Sequence, residues 1–147
     1  GIRDALVGLV GSEMCIRDSI YTEPESCVGF WFALEDATLD NGCMQFIPGG
    51  HKAPLKKRNY RRPDGRLVTE TLDDTPWPVE QLVPVEAEAG TLVVFDGRAP
   101  HLSAANRSSR SRHAYTLHVI DRACHYPADN WLQRSPDLPL RGFGEAA

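Results

Sequence analysis

The sequence predicts an antiparallel β-sandwich or jelly roll, and three observations carry that prediction. Eleven prolines and twelve glycines in 147 residues require frequent turns. Between the turns run about five or six short apolar stretches of strand length, at sandwich-like intervals. No stretch shows the apolar period of an amphipathic helix, and no segment repeats. At 147 residues the chain is one domain, or a piece of one, and long enough to bury a core.

The first 19 residues, GIRDALVGLVGSEMCIRDS, do not resemble the rest of the chain. Their apolar run Ala5 to Val10 gives way to a stretch with neither strand alternation nor a helix cap, so no structure is predicted there. Tyr21-Thr22-Glu23-Pro24 is a turn-like lead-in, because a proline pushes the preceding residue out of the helical region. Cys27 to Ala37 then reads as a strand. Val28, Phe30, Phe32 and Leu34 share one uniformly apolar face, expected to be core. Gly29, Trp31, Ala33 and Glu35 share the other, a mixture that suits the lining of a cavity. Leu39-Asp40-Asn41-Gly42 is a turn. It leads into a short strand, Cys43 to Ile47, closed by Pro48-Gly49-Gly50.

His51 to Pro78 is polar, basic and proline-punctuated, with no sustained period. A loop of that length in a compact domain is usually functional or disordered, and this one is expected to pass over the mouth of the fold. Gln81 to Glu88 alternates weakly, and Pro84 demotes it to an edge strand or a bulge. Thr91 to Phe95 is apolar on both faces and predicted to be buried on both. His113 to Asp121 is the last strand. From Arg122 the tail is irregular, with Pro127, Pro136 and Pro139 around Trp131.

A formal net charge of -4 and a pI near 5.7 argue against nucleic-acid and membrane-surface partners, which require a concentrated basic face. The basic runs Lys56 to Arg62 and Arg107 to Arg112 read as loops. Cys15, Cys27, Cys43 and Cys124 include no pair at a metal-site spacing, and all four are read as reduced thiols of a cytoplasmic protein. Ala5 to Val10 is too short to span a bilayer and lacks the order of a secretion signal.

His101 is the first candidate for chemistry. A lone histidine is usually structural. This one follows Arg98-Ala99-Pro100, which stiffens a strand end, and precedes the small residues Ser103, Ala104 and Ala105, which leave room for a ligand. Arg110 lies nine residues on, in NRSSRSR. It is either a solvated loop charge or a fork for a carboxylate, a geometry lysine cannot reproduce. His113 and His118 share a strand but face opposite ways and cannot chelate one ion. His51 and His125 read as a turn-flanking and a tail residue. Hydrolytic zinc, serine and nucleotide chemistries have no local motif here.

Four stretches taken together resemble the phytanoyl-CoA dioxygenase family, nearest its domain-containing branch. They are Trp31 to Lys52 (WFALEDATLDNGCMQFIPGGHK), Gly90 to His101 (GTLVVFDGRAPH), Asn106 to His118 (NRSSRSRHAYTLH) and Asp129 to Gln133 (DNWLQ). The likeness runs from about Tyr21 to about Leu140 and corresponds to the C-terminal half of a family member. It implies a double-stranded β-helix (jelly-roll or cupin-like, incomplete at its N-terminus). It also implies an oxidoreductase using Fe(II) and 2-oxoglutarate to hydroxylate a small organic substrate, acyl or lipid-like ones among them. His101 matches the distal histidine of the iron triad. Arg110 is matched to the arginine that binds the far carboxylate of 2-oxoglutarate, and Trp31 and Ser103 to residues lining that pocket. The triad is a 2-His-1-carboxylate set with open positions for the keto acid and O₂.

The chain departs from the family upstream. The family's H-x-D motif, which supplies the other two ligands, falls in this register on Met14 and Ile16, which cannot ligate iron usefully. The expectation is therefore that residues 1–19 are a non-family segment, an artefact of the gene model, joined to a partial domain at 20–147. As it stands the chain is expected to be inactive. The alternative is a non-catalytic β-sandwich module that binds a small carboxylate or a protein partner.

Overall fold

The computed structural model describes residues 20–139 and 142; Met14, Cys15, Ile16 and the expected boundary at residue 19 lie outside them. Eight strands run in order: β1 (Val28–Ala33), β2 (Met44–Phe46), β3 (Lys57–Arg61), β4 (Leu67–Thr71), β5 (Val83–Val85), β6 (Leu92–Asp96), β7 (His101–Ser103) and β8 (Ala114–Val119). Short 3-10 turns at Gly50–Lys52 and Val79–Gln81 are the helical elements among the described residues. The strands form two three-stranded antiparallel sheets, β6-β1-β8 and β5-β2-β7, and a β3-β4 hairpin. Pro84 sits in β5, an edge strand, where a missing N–H costs no ladder bond.

The two larger sheets face each other across one core. Trp31 and Ala33 of β1 meet Cys43 and Met44 beside and within β2, with Ala37 and Ala87. Phe46, Val93, Phe95 and Ala114 pack around that cluster. The inward face of β1 is thus Gly29, Trp31 and Ala33, the reverse of the expectation that Val28, Phe30, Phe32 and Leu34 form the core. Those four are half-buried or, at Leu34, exposed. The physical reason is shape. Two sheets interdigitate only where small residues receive large ones, and Gly29 receives the Phe95 ring: a Cβ there would lie 2.5 Å from Phe95 Cζ.

The same register corrects the second strand expected to be all core. β6 turns Val93 and Phe95 inward, while Leu92 and Val94 are 44% and 54% exposed. In register, Val94 and Leu117 flank Phe30, and Leu92 and Tyr115 flank Phe32. The outer face of this sheet is therefore apolar and open among the described residues.

The stretch expected to be an irregular loop contains a hairpin. Arg62-Pro63-Asp64-Gly65 makes its turn, with Gly65 at φ 84 and the Arg62 N–H donating to the Arg66 carbonyl at 2.9 Å. Strands so polar carry no apolar alternation for a sequence to show, because what holds them is the tail. The Arg61 N–H donates to the Asp129 carbonyl (2.7 Å), Arg58 pairs with the Asp129 carboxylate (2.9 Å), and Tyr60 bridges Asn130. Asn130 is 1% exposed. Its amide nitrogen donates to the Tyr21 carbonyl at 2.6 Å and its oxygen accepts from the Tyr21 N–H at 3.4 Å. Tail, hairpin and the chain's entry at Tyr21 thus form one clasp.

Candidate functional site

His101 opens β7 and is 6% exposed. The turn before it is fixed at both ends. The Ala99 N–H donates to the Asp96 carbonyl (2.8 Å), and the buried Pro100 offers its carbonyl to the Ile47 N–H (3.1 Å). The imidazole packs against the rings of Phe46 and Phe95, at centroid distances of 5.5 and 5.3 Å. Its Nδ1 is 2.9 Å from the Ala99 carbonyl. A carbonyl only accepts, so Nδ1 donates to it. A histidine held in this way through Nδ1 leaves Nε2 as the nitrogen on which a metal could be bound.

Ser103 is two residues further along β7, hence on the same face and roughly 7 Å away along the strand. Its hydroxyl donates to the Gly42 carbonyl at 2.8 Å and accepts from Arg112 Nη2 at 3.0 Å. Gly42 holds φ 86, and a Cβ there would come within 2.4 Å of the Ala104 carbonyl oxygen, so the close approach of the two loops needs glycine. Arg112 Nε is buried and has no hydrogen-bond partner. Trp31 is 4% exposed between the sheets and in register with Val93 and Thr116.

Arg110 is not brought into this group. It is exposed, beside a separate shallow concavity with Glu35, Asp36 and Ser111. Its carbonyl closes the local turn by accepting from Asn106 Nδ2 (2.6 Å) and Ser108 Oγ (3.1 Å). The guanidinium beside Ser103 is Arg112's. Strand phase carried the signal for it. Ala114 and Thr116 pair with Ala33 and Trp31 on the inner face, and Arg112 shares their parity, so it turns inward.

Three of the other histidines have partners elsewhere in the fold. His113 Nδ1 is 2.9 Å from Glu35 Oε2, His118 pairs with Gly29 across the strands, and His125 bridges Glu23. Among the described residues no group of three or more His, Cys, Asp or Glu gathers as a metal cage. They therefore do not by themselves fit an iron ion, and His101 is the one member of the implied triad that they contain. The inward Arg112 has a buried donor, Nε, without an acceptor among the described residues. Cys43 and Cys124 are free thiols, and burial pushes the Cys43 thiol above its ordinary range. No helix among the described residues is long and apolar enough to cross a membrane.

At the β6–β7 turn lies a cavity of about 210 Å³, walled by Tyr21, Val28, Leu55, Arg58 and Arg98 among others. The β3–β4 hairpin supplies one side of it through Arg58.

Comparison with known proteins places these features. The family model "Phytanoyl-CoA dioxygenase (PhyH)" matches residues 16–114. Phytanoyl-CoA dioxygenase of Arabidopsis thaliana is 44% identical over 117 residues, covering 79% of this chain and 41% of that protein. Phytanoyl-CoA dioxygenase domain-containing protein 1 of Bos taurus is 44% identical over 125 residues, covering 82% and 43%. The chain thus spans less than half the length of these curated relatives. Among solved structures, the non-heme alpha-ketoglutarate-dependent carbocyclase SnoK superposes with a TM-score of 0.60 at 25% identity, covering 91% of this chain and 52% of SnoK. EvdO2 of Micromonospora carbonacea, complexed with 2-oxoglutarate, superposes with a TM-score of 0.55 at 26% identity, covering 80% and 50%. The two facing sheets are those of the double-stranded β-helix of 2-oxoglutarate oxygenases. On these grounds the chain belongs to the phytanoyl-CoA dioxygenase family.

Proposed function

We propose that this chain carries the co-substrate half of an Fe(II)- and 2-oxoglutarate-dependent dioxygenase site, with Arg112 rather than Arg110 as the carboxylate anchor. The observation that carries this reading is the inward guanidinium of Arg112, with Nη2 on Ser103 and a buried Nε without a partner. A buried donor left unsatisfied costs about 1–3 kcal/mol. A carboxylate removes that cost and is matched by the fork geometry of arginine.

Each residue has a role in binding. Because the Ser103 hydroxyl proton is committed to Gly42, its oxygen faces Arg112 and orients the guanidinium. Trp31 walls the interior and excludes water. His101, two residues before Ser103 on the same strand face, would be the residue that holds the metal beside the keto acid. When bound, 2-oxoglutarate supplies by its oxidative decarboxylation the electrons for oxygen activation. The substrate proposed for the parent enzyme is a small organic molecule, acyl or lipid-like, entering past the cavity at Leu55 and Val28. With Met14 and Ile16 in the register of the other two ligands, this chain binds the keto acid but does not turn it over.

Calorimetric titration with 2-oxoglutarate tests the anchor. Arg112→Ala is expected to weaken binding by at least about 10-fold, the loss of one charge-assisted contact, and Arg110→Ala to leave it unchanged. The opposite pattern would restore Arg110 as the anchor. The double variant Met14→His with Ile16→Asp tests the enzyme reading. It is expected to show iron-dependent consumption of 2-oxoglutarate that the unmodified chain lacks. Carboxylate binding that stays indifferent to iron in that variant would favour the non-catalytic module, which the metal-free Arg112–Ser103 pair also supports.

A further inference from the structure

Glu35 grips the chain on both sides of Arg112. Its Oε1 accepts the Ser111 hydroxyl at 2.9 Å. Its Oε2 accepts the His113 backbone N–H at 2.8 Å and lies 2.9 Å from His113 Nδ1. The Leu34 N–H, one residue before, donates to the His113 carbonyl at 3.0 Å. Asn41, 1% exposed, adds a tie from beneath: its amide nitrogen donates to the Asp36 carbonyl at 2.7 Å and contacts the Ser111 carbonyl at 3.4 Å.

These contacts fall at the end of the sheet, where one backbone bond, Leu34 N–H to the His113 carbonyl, continues past the ladder. The β1–β8 pairing ends at Ala33 and Ala114, so residues 111–113 lie beyond its last ladder pair. That bond holds the backbone at His113, while no ladder pair fixes the faces of Ser111 and Arg112. Ser111 and His113 are exposed, and both are held by one carboxylate; Arg112, between them, must then turn inward.

We propose that Glu35 is a positioning residue that sets the strand phase through Arg112 and so aims its guanidinium at Ser103 and the bound diacid. The inference rests on Arg112 being the carboxylate anchor. It assigns a role to a part-exposed charge two residues past the end of β1.

A double-variant cycle on the full chain separates this role from general loosening. The probe is 2-oxoglutarate, titrated into the unmodified chain, Glu35→Ala, Arg112→Lys and the combination, with thermal unfolding of each as a check on folding. Glu35→Ala alone is expected to weaken binding about 5- to 10-fold, the scale of one misaligned hydrogen bond to a charge. In the Arg112→Lys background the same change should add less than about 2-fold. Lysine is a flexible point charge with no fork to aim. Equal losses in both backgrounds would make Glu35 a general support and overturn the proposal, as would unchanged binding in Glu35→Ala. If Arg112→Lys binds like the unmodified chain, the anchor reading fails first, and this inference falls with it.

Discussion

At the scale of single residues, the His101 imidazole is held by a chain of contacts that begins with an absent side chain. Gly29 has no Cβ, so the Phe95 ring lies over it, and Phe95 meets both Phe46 (5.2 Å) and His101 (5.3 Å). A methyl group at position 29 would stand 2.5 Å from Phe95 Cζ, closer than van der Waals contact permits, so the ring must move. Gly29→Ala is therefore expected to destabilise the fold by about 1–3 kcal/mol, the usual cost of overpacking a core. Urea denaturation measures that loss, and the His101 ring proton shifts report the displaced imidazole. An unperturbed His101 spectrum would show that Phe95 does not transmit the change.

At the scale of elements, the β3–β4 hairpin is joined to the rest chiefly by the Asp129–Asn130 segment. The Arg58–Asp129 ion pair is 27% and 45% exposed at its two side chains. Pairs so open contribute little, about 0–1 kcal/mol. Asn130 is the stronger link, because it is buried and satisfies both backbone groups of Tyr21. Removing it leaves two part-buried backbone groups of Tyr21 unpaired, at up to about 1–3 kcal/mol each. Asn130→Ala should therefore cost more than Asp129→Ala in thermal unfolding. It should also raise amide exchange over Lys57–Arg61 before it does so in β1. Equal costs for the two variants would place the clasp in the ion pair instead.

At the scale of the whole molecule, the described residues cover one side of the β6-β1-β8 sheet and leave the other open. Val94 is 54%, Tyr115 55%, Leu117 42% and Leu92 44% exposed on that outer face, around Phe30 and Phe32. Contiguous apolar surface of this kind associates in water. Among the described residues β7 and β8 also pair on one side only, which leaves edge groups able to accept another strand. The unmodified chain is expected to self-associate with rising concentration in sedimentation velocity, and Val94→Lys with Leu117→Lys to shift it toward monomer. A unimodal monomer peak for the unmodified chain at high concentration would sink that expectation.

Much of the fold was legible in the chain. Turn residues at Leu39–Gly42 and Pro48–Gly50, short apolar runs and Pro84 specify short antiparallel strands, because each acts through its own backbone preference or its neighbours. The motif order from Trp31 to Gln133 likewise pointed to the family and to His101. What the sequence left open were questions of facing and of partners. A strand with two plausible apolar faces does not say which one another sheet covers, and only packing chose Gly29, Trp31 and Ala33 as the inside of β1. Nor does a polar hairpin announce itself when the tail, about 70 residues away, supplies its hydrogen bonds. The choice between Arg110 and Arg112 is of the same kind. The two are identical in chemistry, and only the tertiary structure shows that the guanidinium meeting Ser103 is Arg112's while Arg110 is exposed.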